Sequence, residues 1–193
     1  AAVARDLEVS RVPVREALFC LERDGLVEFS ASGRAYVRTL HPEDVEELFT
    51  LRLTLEPPAA RMAVPRLDGF LVRLEANIQA TRSARSLAEV TSLDLDFHDI
   101  LFEAAGHRRL ARLWREMRHE LELWLALLHR DHHQQTKSTR IQTAESHAEL
   151  LDSFRTGTPS AAERLMRAHI LGWREWLPHH HLDAPALGHP AHS

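Results

Sequence analysis

An acid and an imidazole lie one helical turn apart in the segment SLDLDFHDILFEAAG, residues 92–106. At about 3.6 residues per turn, Leu93 and Phe97 begin an apolar stripe, and Asp94 and His98 fall within the same inward-facing arc. Burying either polar side chain without a partner is costly in free energy. The spacing therefore predicts that Asp94 and His98 meet a common partner inside the protein.

Two further histidines lie on apolar helical faces. His147 has apolar residues three, four and seven positions later, and His169 lies on a comparable apolar face of a later helix. A single buried histidine is more often a hydrogen-bonded core residue than a metal ligand. Three inward histidines and an inward aspartate on three helices change that balance, because one divalent cation satisfies all four groups.

The side-chain types restrict the identity of such a cation. The set contains no thiolate, and neutral imidazole with carboxylate suits zinc, nickel, copper, iron or manganese better than calcium or magnesium. We predict that one divalent transition metal, with zinc or nickel favoured, is bound by Asp94, His98, His147 and His169. A metal that serves only as a structural staple is an open alternative.

Arg52 lies in the middle of the inward stripe of a helix that begins near Pro42. An inward guanidinium requires an anion, because an unpaired buried charge is untenable. One alternative is an internal salt bridge, for instance with Glu120 or Glu122. The other is that Arg52 and open metal positions together bind the carboxylate of a ligand.

The remaining histidines and the tryptophans give weaker signals. The segment with His129, His132 and His133 has the composition of a polar connector, so these rings are expected in solvent, as are those of residues 179–181. The four tryptophans are expected in the core or at an interface rather than in a stacking platform.

Composition limits the class of protein. The 193 residues carry a net charge of −4, which argues against indiscriminate nucleic-acid binding by the whole chain. The one cysteine, Cys20, excludes an intramolecular disulfide and fits a reducing compartment. No segment has the length of a membrane span or the pattern of a signal peptide, so we expect a cytoplasmic protein without a membrane partner.

The chain divides at about residue 40. The stretch GLVEFSASGRAYVR predicts a β-hairpin with Gly33 at its turn, and helical periodicity dominates elsewhere. After the helix near Pro42, helices are predicted at about 66–81, 87–105, 107–130, 138–155 and 160–177. The fold class is therefore mainly α, with three parts: a DNA-binding unit in 1–40, a six-helix bundle with a central metal site in 41–178, and a flexible tail in 179–193.

The first forty residues have the pattern of a helix-turn-helix. A helix ends near Leu7, a tight turn follows, and Ser10 is positioned to cap a second helix. Arg11 and Arg15 lie one turn apart near the start of that second helix and face away from its apolar stripe. In a helix-turn-helix this end enters the major groove, so both arginines are placed for bases or phosphates.

The segment VSRVPVREALFCLERDGLVEF, followed by the glycine-tipped hairpin, resembles the winged helix-turn-helix of the GntR family of bacterial transcription regulators. The resemblance implies DNA contacts from Ser10, Arg11, Arg15, Gly33 and Arg34. The motif is truncated at its start, because the chain begins within what would be its first helix. Six arginines are balanced by six acids in residues 1–40, so binding must depend on how the arginines are arranged.

The segments DLDFHDILFEAAGH, ESHAELLDSF and RLMRAHI resemble the ligand-binding domain of the FadR subfamily of GntR regulators. The resemblance covers roughly residues 42–177, and the helix count is closer to the VanR-like branch. It implies a metal site with one aspartate and three histidines, which here are Asp94, His98, His147 and His169. It also implies that Arg52 helps to bind small organic acids.

These features favour a metabolite-responsive transcription regulator, such as a repressor, that associates with the nucleoid when bound to DNA. A homodimer would place two winged helix-turn-helix units on a pseudo-palindromic double-stranded operator, and a small carboxylate effector at the metal would modulate binding. Two alternatives stay open. The winged helix could serve protein contacts, or the chain could be a metal-dependent hydrolase or lyase, although no further inward carboxylate or histidine is expected to act as a general base.

Overall fold

The computed structural model describes residues 2–39, 41–174 and 176, and most of these residues are helical, as predicted. The first part contains two helices and a hairpin: α1 Ala2–Asp6, α2 Arg11–Arg23, β1 Val27–Phe29 and β2 Ala35–Val37. Within the described residues, the second part consists of α3 Pro42–Ala63, a 3-10 turn Val64–Gly69, α4 Leu71–Ser83, α5 Leu87–Ala105, α6 Arg108–Thr136, α7 Thr139–Thr156 and α8 Pro159–Arg174.

Two helix boundaries differ from those predicted. The helix expected from residue 66 starts at Leu71, because the preceding residues form the 3-10 turn. The helix expected to end near residue 130 continues to Thr136, and Lys137 with a φ of +57° ends it. The predicted flexible tail, 179–193, lies outside the described residues.

In the first part, α2 packs mainly against β1 and touches α1. Ser10 occupies the N-cap position of α2 with extended backbone angles, but its side chain makes no capping hydrogen bond. The face of α2 that was expected to point inward is only partly covered. Val14 and Leu18 are half-buried and Leu21 is exposed, because α1 and the hairpin are too small to cover the whole face.

The hairpin is antiparallel, with Val27 opposite Val37. Its turn is closed by hydrogen bonds between Ser30 and Arg34, and by the Gly33 amide donating to the Ser30 carbonyl at 2.8 Å. Gly33 has a φ of +75°, a conformation that glycine adopts without steric cost. The turn therefore places Arg34 at the exposed tip of the hairpin.

The helices α3 to α8 enclose one apolar core. α3 packs along α8 and α5, and α5 also packs against α4 and α6, so α5 lies at the centre. The largest fully buried side chains include two tryptophans, as expected for core residues: Phe49, Phe97, Trp114, Trp124 and Phe154. None of the described helices has the length and apolar character that crossing a bilayer demands.

The two parts meet at the end of the hairpin. Arg38 pairs with Asp44 at the start of α3 at 2.7 Å and with Glu120 of α6 at 3.1 Å. Gly25 also faces Glu120: a β-carbon at this position would lie 2.5 Å from Oε1 of that side chain. The hairpin is thus held against α6 by an ion pair, and the turn before it packs closely on the same Glu120 side chain at Gly25, whose φ of +74° favours glycine.

Glu8 lies in the turn between α1 and α2 with a φ of +54°, where a β-carbon crowds the neighbouring carbonyl. We predict that Glu8→Gly raises the free energy of unfolding by about 0.5–1 kcal/mol. Glycine relieves the backbone strain of the folded state, and its larger conformational entropy in the unfolded state offsets only part of that gain. Urea denaturation measures this change. Glu16→Gly, in the interior of α2, is the control and should lower stability by about 1 kcal/mol. A less stable Glu8→Gly variant would show that the turn is not strained.

Candidate metal centre

The sequence of α5 places two of the predicted ligands in the core. Ser86 caps the helix by accepting a hydrogen bond from the Glu89 amide at 3.1 Å, and Gly106 ends it with a φ of +66°. Between these ends, Asp94 and His98 are both buried. The acids on the other face, Asp96 and Asp99, instead bind Arg118 of α6.

Three predicted ligands come together between α5, α7 and α8. Each of His98, His147 and His169 offers a ring nitrogen that lies within 4.8 Å of the other two. Asp94 adjoins this cluster, with Oδ1 3.0 Å from Nε2 of His147. Phe97 stacks on His147 with ring centroids 3.9 Å apart, which fixes the plane of that imidazole.

The ring nitrogens of this cluster lack ordinary hydrogen bonds. His98 and His147 are buried, and among the described residues none of their four nitrogens has an aligned hydrogen-bond partner. The contacts of these rings with carboxylates have hydrogen-bond distances without the angle that a ring N–H requires. Buried polar atoms of this kind are rare in folded proteins and call for a ligand or ion. The donor set of three imidazoles and one carboxylate fits a transition metal.

The electrostatic surroundings keep the cluster in its metal-binding protonation state. Burial lowers the pKa of His147, although the adjacent Asp94 opposes that shift. Burial also lowers the pKa of His169 well below its ordinary value. For Asp94, burial favours the neutral acid, but contact with His147 and the neighbouring imidazoles holds its pKa below the usual range. These shifts favour neutral imidazoles at His147 and His169 and an ionised carboxylate at Asp94.

Arg52 is 2% exposed and pairs with Glu56, which is 1% exposed and one turn later on α3. The Arg52 Nε atom lies 2.5 Å from Oε1 of Glu56. The internal salt bridge is therefore formed, but neither suggested partner forms it. Glu120 pairs with Arg38, and Glu122 pairs with Arg118.

Glu56 is a buried carboxylate that was not predicted from the sequence, so the expectation of no further inward carboxylate was wrong. Burial alone would raise its pKa, but Arg52 and His98 lower the pKa to about 2. Its Oε2 atom lies 2.7 Å from Nδ1 of His98. The i,i+4 spacing from Arg52 was the signal in the sequence that could have identified it.

Two histidines expected in solvent are buried instead. His129 and His132 lie on α6, which continues six residues beyond its predicted end, and both rings are covered by Trp173 of the facing helix α8. His129 is hydrogen-bonded through Nδ1 to Thr91 at 2.9 Å, and its Nε2 lies 3.9 Å from Oδ2 of Asp94. His132 is bonded through both ring nitrogens, to Thr139 and Gln142. His129 is thus a neighbour of the candidate centre.

A cavity of about 300 Å³ lies between α7 and α8. Its wall contains His169, which is only partly buried, together with Gln142, Ser146, Glu149 and Trp173. Arg52 is not among the lining residues. A small molecule in this cavity would touch the cluster through His169 rather than through the guanidinium.

The residues expected to contact DNA are all exposed: Ser10, Arg11, Arg15, Gly33 and Arg34. Arg15 lies over the ring of Phe19, 5.4 Å from its centroid. Within the described part of the chain, neither Arg11, Arg15 nor Arg34 forms a salt bridge. Their charges are consequently free to meet an external anion.

Comparison with known proteins gives one consistent family. Residues 47–172 match the family described as FCD domain. The chain is 25% identical over 182 residues to the "Uncharacterized HTH-type transcriptional regulator YdhC" of Bacillus subtilis, which covers 92% of this chain and 79% of that protein. It is 26% identical over 174 residues to the "Probable D-xylose utilization operon transcriptional repressor" of Paenarthrobacter nicotinovorans, with 89% and 74% covered.

The fold is shared with a solved GntR regulator from Rhodococcus sp. RHA1, which has a TM-score of 0.71 and 22% identity, with 91% of this chain and 84% of that chain covered. The similar proteins are transcription regulators, so the alternative of a metal-dependent hydrolase or lyase is set aside. The chain therefore belongs to the FCD-domain family of GntR-type transcription regulators, and it is a regulator rather than an enzyme.

Proposed function

We propose that this regulator is a metal-dependent repressor that senses a small carboxylate and adjusts its affinity for an operator accordingly. The observation that supports the proposal is the convergence of His98, His147 and His169, of which the first two have buried ring nitrogens with no aligned hydrogen bond among the described residues. Repression is proposed by analogy with the relative named as an operon repressor.

The metal ligands in this proposal are Asp94, His98, His147 and His169. When bound, the divalent metal supplies positive charge and open coordination positions for an anion. A tetrahedral site would be filled by these four groups, so effector binding favours a metal that accepts five or six ligands, such as nickel, or a zinc site that expands.

The charge balance of the site supports an anionic effector. Asp94 contributes one negative charge, imidazoles that bind a metal do so in the neutral form, and the Arg52–Glu56 pair adds no net charge. A divalent cation changes the total from −1 to +1, which one carboxylate then neutralises. We therefore assign the effector carboxylate to the metal side of the cluster, and not to Arg52, whose charge Glu56 already matches.

Helix α6 supports a route from the effector site to the DNA-binding part. His129 on α6 faces Asp94, and Glu120 on the same helix holds Arg38 at the end of the hairpin. An effector that favours one position of α6 would therefore favour one placement of the hairpin. Such coupling requires different effector affinities for the two arrangements.

DNA binding is proposed through Ser10, Arg11 and Arg15 at the start of α2 and through Gly33 and Arg34 at the hairpin tip. In this geometry the start of α2 enters the major groove and the hairpin tip approaches the neighbouring backbone. A homodimer presents two such units to a pseudo-palindromic operator.

Metal content tests the centre. Elemental analysis of purified wild-type protein should give about one transition-metal ion per chain, and His147→Ala should retain less than about a tenth of it, because one ligand is lost. His132→Gln is the matched control, since His132 is a buried imidazole with both nitrogens hydrogen-bonded, and it should keep its metal. Wild-type protein that contains no metal after metal-supplemented purification would refute the proposed centre.

Operator affinity tests the DNA-binding surface. In a gel-shift with the DNA upstream of the protein's own gene, Arg15→Ala should weaken binding by about tenfold or more, since a major-groove arginine contributes about 1–3 kcal/mol. Arg23→Ala, at the opposite end of the same helix, should bind as the wild type does. Equal affinities for wild type and Arg15→Ala would argue against the proposed groove contact.

The coupling between the core and the hairpin is tested by Glu120→Gln. This substitution removes the charge that pairs with Arg38 but keeps the size and shape of the side chain that packs against Gly25. Hydrogen exchange of residues 27–37 should become faster, while exchange in α5 and the metal content stay unchanged, because the pair lies outside the core. The DNA affinity should also respond less to a panel of small carboxylic acids. Glu116→Gln, an exposed position of the same helix, is the control. Unchanged hairpin exchange in Glu120→Gln would exclude this contact as the link.

A further inference from the structure

We propose that Glu56 is a positioning residue for the metal ligand His98, and that Arg52 in turn holds Glu56, so that Arg52, Glu56 and His98 form one relay behind the cluster. This inference rests on the proposed metal function. In this inference Arg52 supports the metal site by holding Glu56, and it does not contact the effector directly.

Glu56 lies between the two other members and uses both carboxylate oxygens. Its Oε1 atom lies 2.5 Å from Nε of Arg52, and its Oε2 atom lies 2.7 Å from Nδ1 of His98. The side chain of Arg52 is 2% exposed, and those of Glu56 and His98 are each 1% exposed, so water does not compete for these contacts. The terminal ring torsion of His98 is soft, so its N–H can turn toward Oε2 at this distance.

The chemistry of these groups fixes which nitrogen of His98 carries the hydrogen. An imidazole that binds a metal is neutral and has one N–H, and an ionised carboxylate only accepts hydrogen bonds. The contact with Glu56 therefore requires the hydrogen on Nδ1. Nε2 is left with a lone pair, and it becomes the atom available to the metal.

Arg52 holds the Glu56 carboxylate in this orientation. Its Nε atom lies 2.5 Å from Oε1 and its Nη2 atom donates to Oε2 at 3.3 Å, so the guanidinium contacts both oxygens and leaves a further lone pair of Oε2 for His98. Metal-bound histidines commonly donate their second N–H to a carboxylate, which orients the ring and raises its basicity.

Metal affinity in isosteric variants tests the relay. Glu56→Gln should weaken binding of zinc or nickel by about 10- to 100-fold in chelator competition, the usual effect of losing such an outer carboxylate. Because Glu56→Gln leaves Arg52 unpaired, the double variant Arg52→Met with Glu56→Gln removes both charges. It should recover thermal stability relative to Glu56→Gln while the metal affinity stays low. Glu122→Gln, which breaks the i,i+4 pair with Arg118 at the surface, should bind metal as the wild type does.

A second measurement does not require the metal. Long-range ¹H–¹⁵N correlation spectra of the metal-free wild type should show the hydrogen of His98 on Nδ1, and in the double variant this preference should be lost or reversed. Hydrogen on Nε2 in the wild type, or wild-type metal affinity in a folded double variant, would overturn the inference. Wild-type protein that binds no metal would refute the proposed function, while the spectra would still decide whether Glu56 orients His98.

Discussion

The interior of the helical bundle has to satisfy more polar groups than its own side chains can pair. Asp94, His98 and His147 lie among aromatic and aliphatic residues, and the ring nitrogens of the two histidines have no aligned hydrogen bond in the described structure. Replacing one of these side chains by an apolar residue would pack at no electrostatic cost. Their presence in the core therefore has a cost in free energy, which the divalent cation of the proposed function would offset by contacting these groups together.

The other charged side chains in and around the core are paired with one another, so the need for an additional positive charge is limited to the surroundings of Asp94. Arg52 and Glu56 neutralise each other, and Arg118 gathers Asp96 and Asp99 on the outer side of α5. The unmatched charge in the described core is consequently concentrated at Asp94. A cation would be attracted to that point, and the bound cation would in turn attract an anion, which is the order of events that the proposed metal-dependent sensing needs.

Much of this arrangement follows from periodicity in the sequence. The inward placement of Asp94, His98 and His147 could be predicted because each lies on a stripe of apolar residues with helical spacing. The same reasoning failed for His129 and His132. For His132, the polar composition of DHHQQTKS resembles a loop, and only tertiary packing against α7 makes it the end of α6. His129 precedes that stretch and is buried where α6 meets Thr91 of α5. The partner of Arg52 was missed for another reason: Glu56 lies within the inward arc, between the helical positions of Val45 and Phe49, but a glutamate is assigned to solvent by default unless its i,i+4 spacing from an inward arginine is considered.

The pairing of the two parts could not be read from the sequence at all, since it depends on contacts between residues 82 positions apart. Arg38 looks like any surface arginine in a hairpin, and Gly25 looks like a glycine that ends a helix. Both residues contact Glu120, and this contact joins the hairpin to α6, the helix that carries His129. A partly exposed ion pair of this kind contributes only about 0.2–1 kcal/mol. That small value would suit the proposed coupling, since an effector bound near Asp94 would then have to shift the hairpin by a free energy of the same order, whereas a strongly locked junction would leave the DNA-binding surface insensitive to the core.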